Sequence, residues 1–342
     1  VYPAAIMIKA HRIKPENMAH LAPVYKRFAE CAQPEYRWVF DPVDFDQFKL
    51  ALANRILQGY WVEDTASPEP VGLMLYRLEE HRAIEINVIY SELEDKKTVL
   101  DRLMRLFISD VRDTEGWDVV SYAMLGKQEG FIRTVCWYGF KPVGQAILNF
   151  DIMDPISLQI LKQQRLELPG PEYVLDAWKP EYAGGVAESI YEAFVKSTDA
   201  LWDPRFRTLT GTRKVVGLIT ANMMGTFLPD CTTVVLRDGI PVGFCFLVQD
   251  SLMSGNIPLV GVRPSEKGKN LGNILLQACL NHCIDGMLAE RNSILKVSTT
   301  MDTDNIPAIK MYRRIGFREE YNYPHVYLTR EKAMAYTPGK WC

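Results

Sequence analysis

Leu259-Val260-Gly261-Val262-Arg263-Pro264-Ser265-Glu266-Lys267-Gly268-Lys269-Asn270-Leu271-Gly272-Asn273-Ile274-Leu275-Leu276 is the stretch that decides the fold. An apolar strand runs into a loop with two glycines, and the loop runs into a helix. Loop amides and the first unpaired N–H groups of that helix converge on one place, where the helix dipole favours negative charge. Glycine lets the backbone come close and take up positive φ. Lys267 and Lys269 add positive charge, so a diphosphate suits the turn. A tight strand–helix turn with solvated lysines is the competing reading.

Further along, a strand at Leu295 to Thr299 leads to Asn305-Ile306-Pro307-Ala308-Ile309-Lys310-Met311-Tyr312-Arg313-Arg314-Ile315-Gly316-Phe317. The two stretches together resemble the signatures of the GNAT superfamily of acyl-CoA-dependent N-acyltransferases. The first signature is Arg or Gln, then x-x-Gly-x-Gly or Ala, after a strand ending Val-x-Pro. Lys267 holds the Arg/Gln place, Gly268 and Lys269 the variable places, Asn270 the first glycine and Gly272 the second. Lys267 keeps the charge, and Asn tolerates left-handed backbone better than most residues. The second signature, Asn-x-x-Ala-x-x-x-Tyr-x-x-x-Gly-Phe, is matched from Asn305 to Phe317. The resemblance covers roughly Tyr173 to Arg330.

The resemblance implies roles. Val260, Gly261 and Val262 would bond the pantetheine arm through a splayed strand backbone. Lys267, Gly268, Lys269, Asn270, Leu271, Gly272 and Asn273 would take the pyrophosphate. Asn305 and Ala308 would lie against the cofactor near its acyl end. Tyr312 would be the general acid that protonates the departing thiolate, since a phenol stays protonated at neutral pH; a helix tyrosine capping a core edge is the other reading. The co-substrate would be acetyl-CoA or another acyl-CoA, with no metal, and the acceptor a small-molecule or peptide amine. Many relatives carry a Glu on the strand before the loop, but Leu252 to Val262 has no carboxylate. Asp250, Asp302 and Asp304 are the candidate bases, alongside a carboxylate from the first half; a low-pKa nitrogen acceptor, or thiol or carrier-protein chemistry, is also open.

The chain before this region has the same grammar. Each half opens with a strand (Ala5 to Ala10; Tyr173 to Trp178) and a helix (Pro15 to Glu30; Pro180 to Lys196). A hairpin-like region follows; in the second half Thr232 to Leu236 and Val242 to Val248 flank Arg237-Asp238-Gly239, a strong hairpin signal. The first half has Val71 to Leu78 there. Then come an apolar strand (Ala83 to Tyr90; Ile257 to Val262), a helix (Lys96 to Val111; Leu271 to Met287), and a strand and helix ending Gly139-Phe140 or Gly316-Phe317 before a last strand. Asp154-Pro155, a short helix at Ile156 to Arg165, and Pro169-Gly170-Pro171 separate the halves. The expected fold class is α/β of the α+β type, two tandem GNAT folds, each a mixed, mostly antiparallel sheet flanked by helices. The expected division is a degenerate domain at 1–153, a linker at 154–171, a catalytic domain at 172–332 and a tail at 333–342.

The first half reads as a decayed copy. With Gly139-Phe140 placed on Gly316-Phe317, Tyr312 falls on Val135, Ala308 on Phe131 and Asn305 on Gln128. The counterpart of the phosphate loop, Tyr90 to Lys97, has no glycine and carries Glu92, Glu94 and Asp95, which repel a diphosphate. Tandem GNAT enzymes with one competent half, of the mycothiol synthase type, share this organisation. The first half is therefore expected to leave CoA unbound and to help form the acceptor site.

A length of 342 residues suits two domains, and 48% hydrophobic with 24% charged residues suits a soluble globular protein. A net charge of -3 gives no electrostatic case for nucleic acid or an anionic membrane, and no apolar run reaches membrane-spanning length. No signal peptide is visible, and the start at Val1-Tyr2-Pro3 fits a trimmed chain or a segment of a longer one. Seven scattered cysteines fit a reducing cytoplasm better than a disulfide framework. Cys279 and Cys283, spaced with Leu275 and Leu276 on one helix face, read as core rather than as metal ligands. Besides an N-acetyltransferase, two alternatives fit: an acyl-CoA-binding regulator without turnover, and a GNAT-like biosynthetic enzyme acting on a carrier-bound or peptide substrate.

Overall fold

The computed structural model describes residues 8–38, 42–64, 67–93, 96–164 and 167–336. The chain packs as two compact units, Val1–Val143 with Tyr323–Cys342, and Gly144–Asn322. None of the described helices is long and apolar enough to cross a membrane.

The first unit runs β1 (Ile8–Arg12), α1 (Ala22–Tyr36), α2 (Phe45–Ala53), β2 (Gln58–Asp64), β3 (Ser67–Leu78), β4 (Ala83–Ser91), α3 (Lys96–Asp113), β5 (Val119–Ala123) and α4 (Ile132–Trp137). Strands β1 to β4 pair antiparallel in order, and β5 joins β4 in parallel. Period-two alternation splits β3 between two cores. Met74 packs with Leu103 and Phe107 of α3, while Leu73 and Leu75 pack with Val24 and Phe28 of α1. The expected opening strand appears as β1; Ala5 to Met7 lie outside the described residues.

The chain continues through β6 (Lys141–Asp151), α5 (Pro155–Gln163), β7 (Tyr173–Ala177), α6 (Ala183–Phe194), α7 (Asp199–Trp202), α8 (Leu209–Thr220), β8 (Thr226–Phe227), β9 (Thr233–Arg237), β10 (Ile240–Cys245), β11 (Val248–Gln249), β12 (Ser254–Asn256), β13 (Val260–Val262), α9 (Leu271–Leu288), β14 (Lys296–Asp302) and α10 (Ile306–Ile315). The β9–β10 hairpin turns at Asp238 and Gly239, both at positive φ (50° and 78°), as the Asp-Gly signal requires. One sheet has the order β7-β9-β10-β13; another joins β8, β11, β12 and β14, with β12 and β14 parallel. The linker region is part of the packing. Asp154 caps α5 through the Ile156 and Ser157 amides, Leu161 enters the core, and Ser157 Oγ donates to the Gly316 carbonyl at 3.1 Å.

The last elements among the described residues are β15 (Arg318–Thr329) and α11 (Arg330–Ala335). The closing strands are exchanged. Gln145 to Asp151 of β6 pair with Asp302 to Lys296 of β14 in the second unit, and Ala146, Leu148 and Phe150 fill that unit's core. His325 to Thr329 of β15 pair with β5 in the first unit, where Val326, Leu328, Ala333 and Tyr336 are core residues. The packing units therefore differ from the expected division at 153, 172 and 333. Apolar alternation marks each closing strand but does not say which sheet takes it.

Candidate active site

The strand expected at Ile257 to Val262 is broken. β12 pairs with β14, β13 pairs with β10, and Ile257-Pro258-Leu259 lie between them. The Ile257 amide still reaches the Ser298 carbonyl at 2.9 Å. Pro258 has no donor to continue that ladder. From there the strand turns to β10: the Phe246 amide meets Leu259 O at 3.0 Å, and the Arg263 amide meets Val242 O at 2.8 Å. Antiparallel bonding alternates, so positions 259, 261 and 263 face β10, and the peptide groups of Val260 and Val262 face away from it, into the splay beside β14. Gly261 answers a different need: a Cβ there would meet Phe244 Cζ at 2.8 Å and Phe194 Cε2 at 3.2 Å. Phe194 ends α6, so that helix covers β13.

Beyond β13, a single 3₁₀ turn (Pro264–Glu266) leads into the glycine loop. Gly268 (φ 85°) and Asn270 (φ 62°) both adopt left-handed backbone, the geometry expected of a residue holding a glycine's place. The amides of Gly268, Lys269, Asn270, Leu271 and Gly272 donate to no acceptor among the described residues; the next, on Asn273, bonds Asn270 O at 3.1 Å. Consecutive unpaired amides around left-handed residues at a helix start form an anion-binding concavity.

The two lysines of the loop differ. Lys267 is exposed and makes no ion pair among the described residues. Lys269 is drawn away: its ammonium lies 2.7 Å from Glu266 and 2.8 Å from the Tyr173 hydroxyl. Glu266, with its side chain 4% exposed, also takes Arg237 Nη1 at 2.8 Å and the Tyr173 hydroxyl at 2.6 Å. Burial pushes that carboxyl up, but hydrogen bonds from Lys269, Tyr173 and Arg237 outweigh it and hold it at about 2. Lys269 was expected to add charge to the turn, and that charge is paired with a buried carboxylate three residues earlier. Gly272 is also a packing residue, since a Cβ there would meet Met311 Sδ of α10 at 2.8 Å.

Asn305 caps α10 by accepting from the Ala308 amide at 3.3 Å and is exposed; Ala308 packs half-buried against the core. Gly316 (φ 112°) ends the helix, with the Phe317 amide on Tyr312 O at 3.0 Å. Tyr312 is 3% exposed, and its hydroxyl lies 3.4 Å from Thr299 Oγ1, which donates to Ile257 O at 3.1 Å. The phenol therefore reaches the vertex where the strands part. Burial holds it well above the ordinary tyrosine range, so it is protonated at any working pH.

Of the candidate carboxylates, Asp250 belongs to the β11–β12 turn, beside Ser254. Ser254 is level with Lys296, at the far end of β14 from the splay. Asp304 is exposed, and Asp302 accepts from the Asp304 amide at 2.8 Å. Counting on from the Asn256–Ser298 pairing puts Asp302 level with Val260 along the splayed strands. Sequence reasoning missed Asp199, the first residue of α7. Burial raises its carboxyl above the usual aspartate range, and the charges of Asp302 and Asp203 push the same way. No motif marks it; only the fold brings the segment after α6 to the end of β14.

The corresponding place in the first unit is filled. Parallel pairing of β4 and β5 ends at Ile86–Tyr122. Beyond it Gln128, 1% exposed, accepts from the Ile89 amide at 3.0 Å and the Tyr122 hydroxyl at 2.6 Å. Phe131 and Val135 are buried beside it. The charge expectation fares differently. Glu92 pairs with Arg27 at 2.5 Å, and Glu94 and Asp95 lie outside the described residues. A surface groove of about 1030 Å³ nearby is lined by Lys97, Arg102, Lys127 and Arg133, so this end is not simply acidic.

A splayed parallel strand pair, an amide-lined turn at a helix start and a buried tyrosine at the vertex thus come together in the second unit. Residues 229–319 match the family model for the acetyltransferase (GNAT) domain. A mycothiol acetyltransferase of Mycolicibacterium gilvum (strain PYR-GCK) is 33% identical over 79 residues, which is 23% of this chain and 26% of that protein. The match thus spans about a quarter of the curated relative. A GCN5-related N-acetyltransferase from Sphaerobacter thermophilus superposes with a TM-score of 0.61 at 15% identity, covering 94% of this chain and 96% of that one. A tandem GNAT protein from the clavulanic acid biosynthesis pathway gives 0.54 at 12% identity, covering 95% and 99%. The comparisons thus show a GNAT domain at residues 229–319 and, over nearly the whole chain, the fold of GNAT proteins, a tandem one among them. Among the described residues, no group of His, Cys, Asp and Glu is arranged to hold a metal ion.

Proposed function

We propose that the second unit transfers an acyl group, acetyl in the simplest case, from acyl-CoA to the amine of a small molecule or peptide. The observation that carries the reading is the run of five unpaired amides from Gly268 to Gly272, directly after a strand whose outer peptide groups face the splay. The residues present fit the co-substrate: the turn suits a diphosphate, and the outward groups of Val260 and Val262 suit an amide-bearing arm. Bound there, the co-substrate supplies an activated thioester.

The chain's own residues do the rest. Lys267 and the loop amides hold the phosphates; Asn305 and Ala308 shape the end of the site by capping and packing α10. Asp199 takes a proton from the ammonium of the acceptor. Its raised carboxyl affinity for protons suits that task better than an ordinary aspartate, and Asp302 beside it keeps it so. Tyr312 donates its proton to the leaving thiolate.

Incubating the protein with acetyl-CoA and a panel of amines, with products read by mass spectrometry, tests this reading. Acetylated amine and free CoA in equal amounts are expected. Tight acetyl-CoA binding with no acetylated product across the panel would replace the enzyme with a binding protein.

A further inference from the structure

Four of the cysteines form two thiol pairs inside the second unit. Cys231, Cys245, Cys279 and Cys283 all belong to its core. Cys245 hydrogen-bonds Cys279, and Cys231 hydrogen-bonds Cys283. Helical spacing explains why α9 carries two of them, one turn apart.

The pairs differ in access. Cys245 and Cys279 are both 0% exposed. Cys231 is 5% exposed and opens onto a cavity of about 300 Å³ that His282, Asp285, Gly286, Arg291 and Asn292 also line. Cys283 lies between those wall residues on α9, is fully buried and does not line the cavity. A small solute entering the cavity meets Cys231 at its wall, and Cys231 is hydrogen-bonded to the buried Cys283. The hydrogen bond from Cys283, with Arg291 assisting, lowers the thiol of Cys231 against burial and Asp230; the same contact raises that of Cys283. A reactive thiol reachable from solvent, next to a resolving thiol, is the arrangement of oxidisable cysteine pairs.

We propose that Cys231 and Cys283 are a peroxide-oxidisable dithiol, with Cys231 attacked first and Cys283 resolving it. The Cys231 thiolate displaces hydroxide from hydrogen peroxide and becomes a sulfenic acid. The Cys283 thiol then attacks that sulfur, a disulfide forms and water leaves. Two thiols are oxidised by two electrons in all, and one peroxide is reduced to two waters. Thiol reductants reverse the step.

The experiment treats the full chain with a small excess of hydrogen peroxide, then alkylates it under denaturing conditions and maps peptides by mass spectrometry. A peptide pair linking Cys231 and Cys283, lighter by two hydrogens and released by dithiothreitol, is expected, with Cys245 and Cys279 still alkylated. In Cys283→Ser, which keeps a small side chain in the core, Cys231 is expected to persist as a sulfenic acid trapped by dimedone. Full alkylation of Cys231 and Cys283 after peroxide would overturn the proposal. So would oxidation of Cys245–Cys279 at the same rate, because access would then play no part.

Discussion

Tyr312 Oη lies 3.4 Å from Thr299 Oγ1, and Thr299 spends its own proton on the Ile257 carbonyl at 3.1 Å. With that proton committed, Thr299 can only accept from the phenol, so the Tyr312 proton points along this chain toward the place where β12 and β14 part. Tyr312→Phe removes the donor and little volume, and leaves no buried donor unpaired. Turnover is expected to fall by roughly 100- to 10,000-fold, the usual worth of general acid catalysis. Calorimetric CoA affinity should stay within about twofold, an effect of well under 1 kcal/mol. Undiminished turnover in the variant would make Tyr312 a packing residue.

Gly268 is the position at which to challenge the anion turn. It has φ 85°, and a Cβ there would meet nothing within 4 Å. Gly268→Ala therefore reports left-handed strain alone, about 1–2 kcal/mol. Gly268→Asp adds a negative charge beside the unpaired amides. CoA affinity is expected to fall at least about tenfold further in the Asp variant than in the Ala variant, or about 1.4 kcal/mol. Equal affinities would place the diphosphate elsewhere. Gly272 is less suitable, because its Cβ would press on Met311.

Asp199→Asn tests the proposed base. The folded protein raises this carboxyl. A raised carboxyl gives stability that is present at low pH and is lost as pH rises through the folded value. At neutral pH the asparagine variant should therefore melt no lower than the parent. Its kcat/KM should drop by about 100-fold or more, and the acid limb of the pH–rate profile should move or vanish. An unaltered profile would exclude Asp199 as the titrating base.

Glu266 has the opposite sign. Its carboxyl is held at about 2, against an ordinary 4.5, so its stabilising effect is complete above 4.5 and is lost as pH falls toward 2. Glu266→Gln should lower the melting temperature most at neutral pH, and the gap to the parent should close between pH 4.5 and 2. Circular dichroism melts across that range check it. A gap that does not change with pH would mean that the Lys269 and Arg237 pairs contribute no net stability.

One acyl-CoA per chain is expected, bound by the second unit. In the first unit Gln128 already takes the Ile89 amide at 3.0 Å, where the second unit leaves strand groups facing outward. Calorimetry should give a stoichiometry near one, and two equivalent sites would show that the Gln128 plug gives way. Gln128→Ala orphans the Ile89 amide and is expected to cost about 1–3 kcal/mol of stability.

Local spacing alone determined much of this protein. The turn from Val260 to Asn273, the cap-to-cap helix from Asn305 to Gly316 and the Asp238-Gly239 hairpin were all legible, because a turn, a cap or a positive φ depends on residues within a few positions of one another. The repeat of elements in the two halves was legible for the same reason, and it carried the fold class. Tertiary structure decided the rest. Whether β6 and β15 close their own sheets or exchange them is a matter of long-range register, on which their alternation is silent. That Lys269 belongs to Glu266 required Tyr173 and Arg237 to arrive from other strands. Asp199 stood in no motif, and its carboxyl is raised by burial and by the charge of Asp302, brought in from a strand about a hundred residues away. Charges and buried polar groups act through space and solvent exclusion, so their roles were set only when the chain packed.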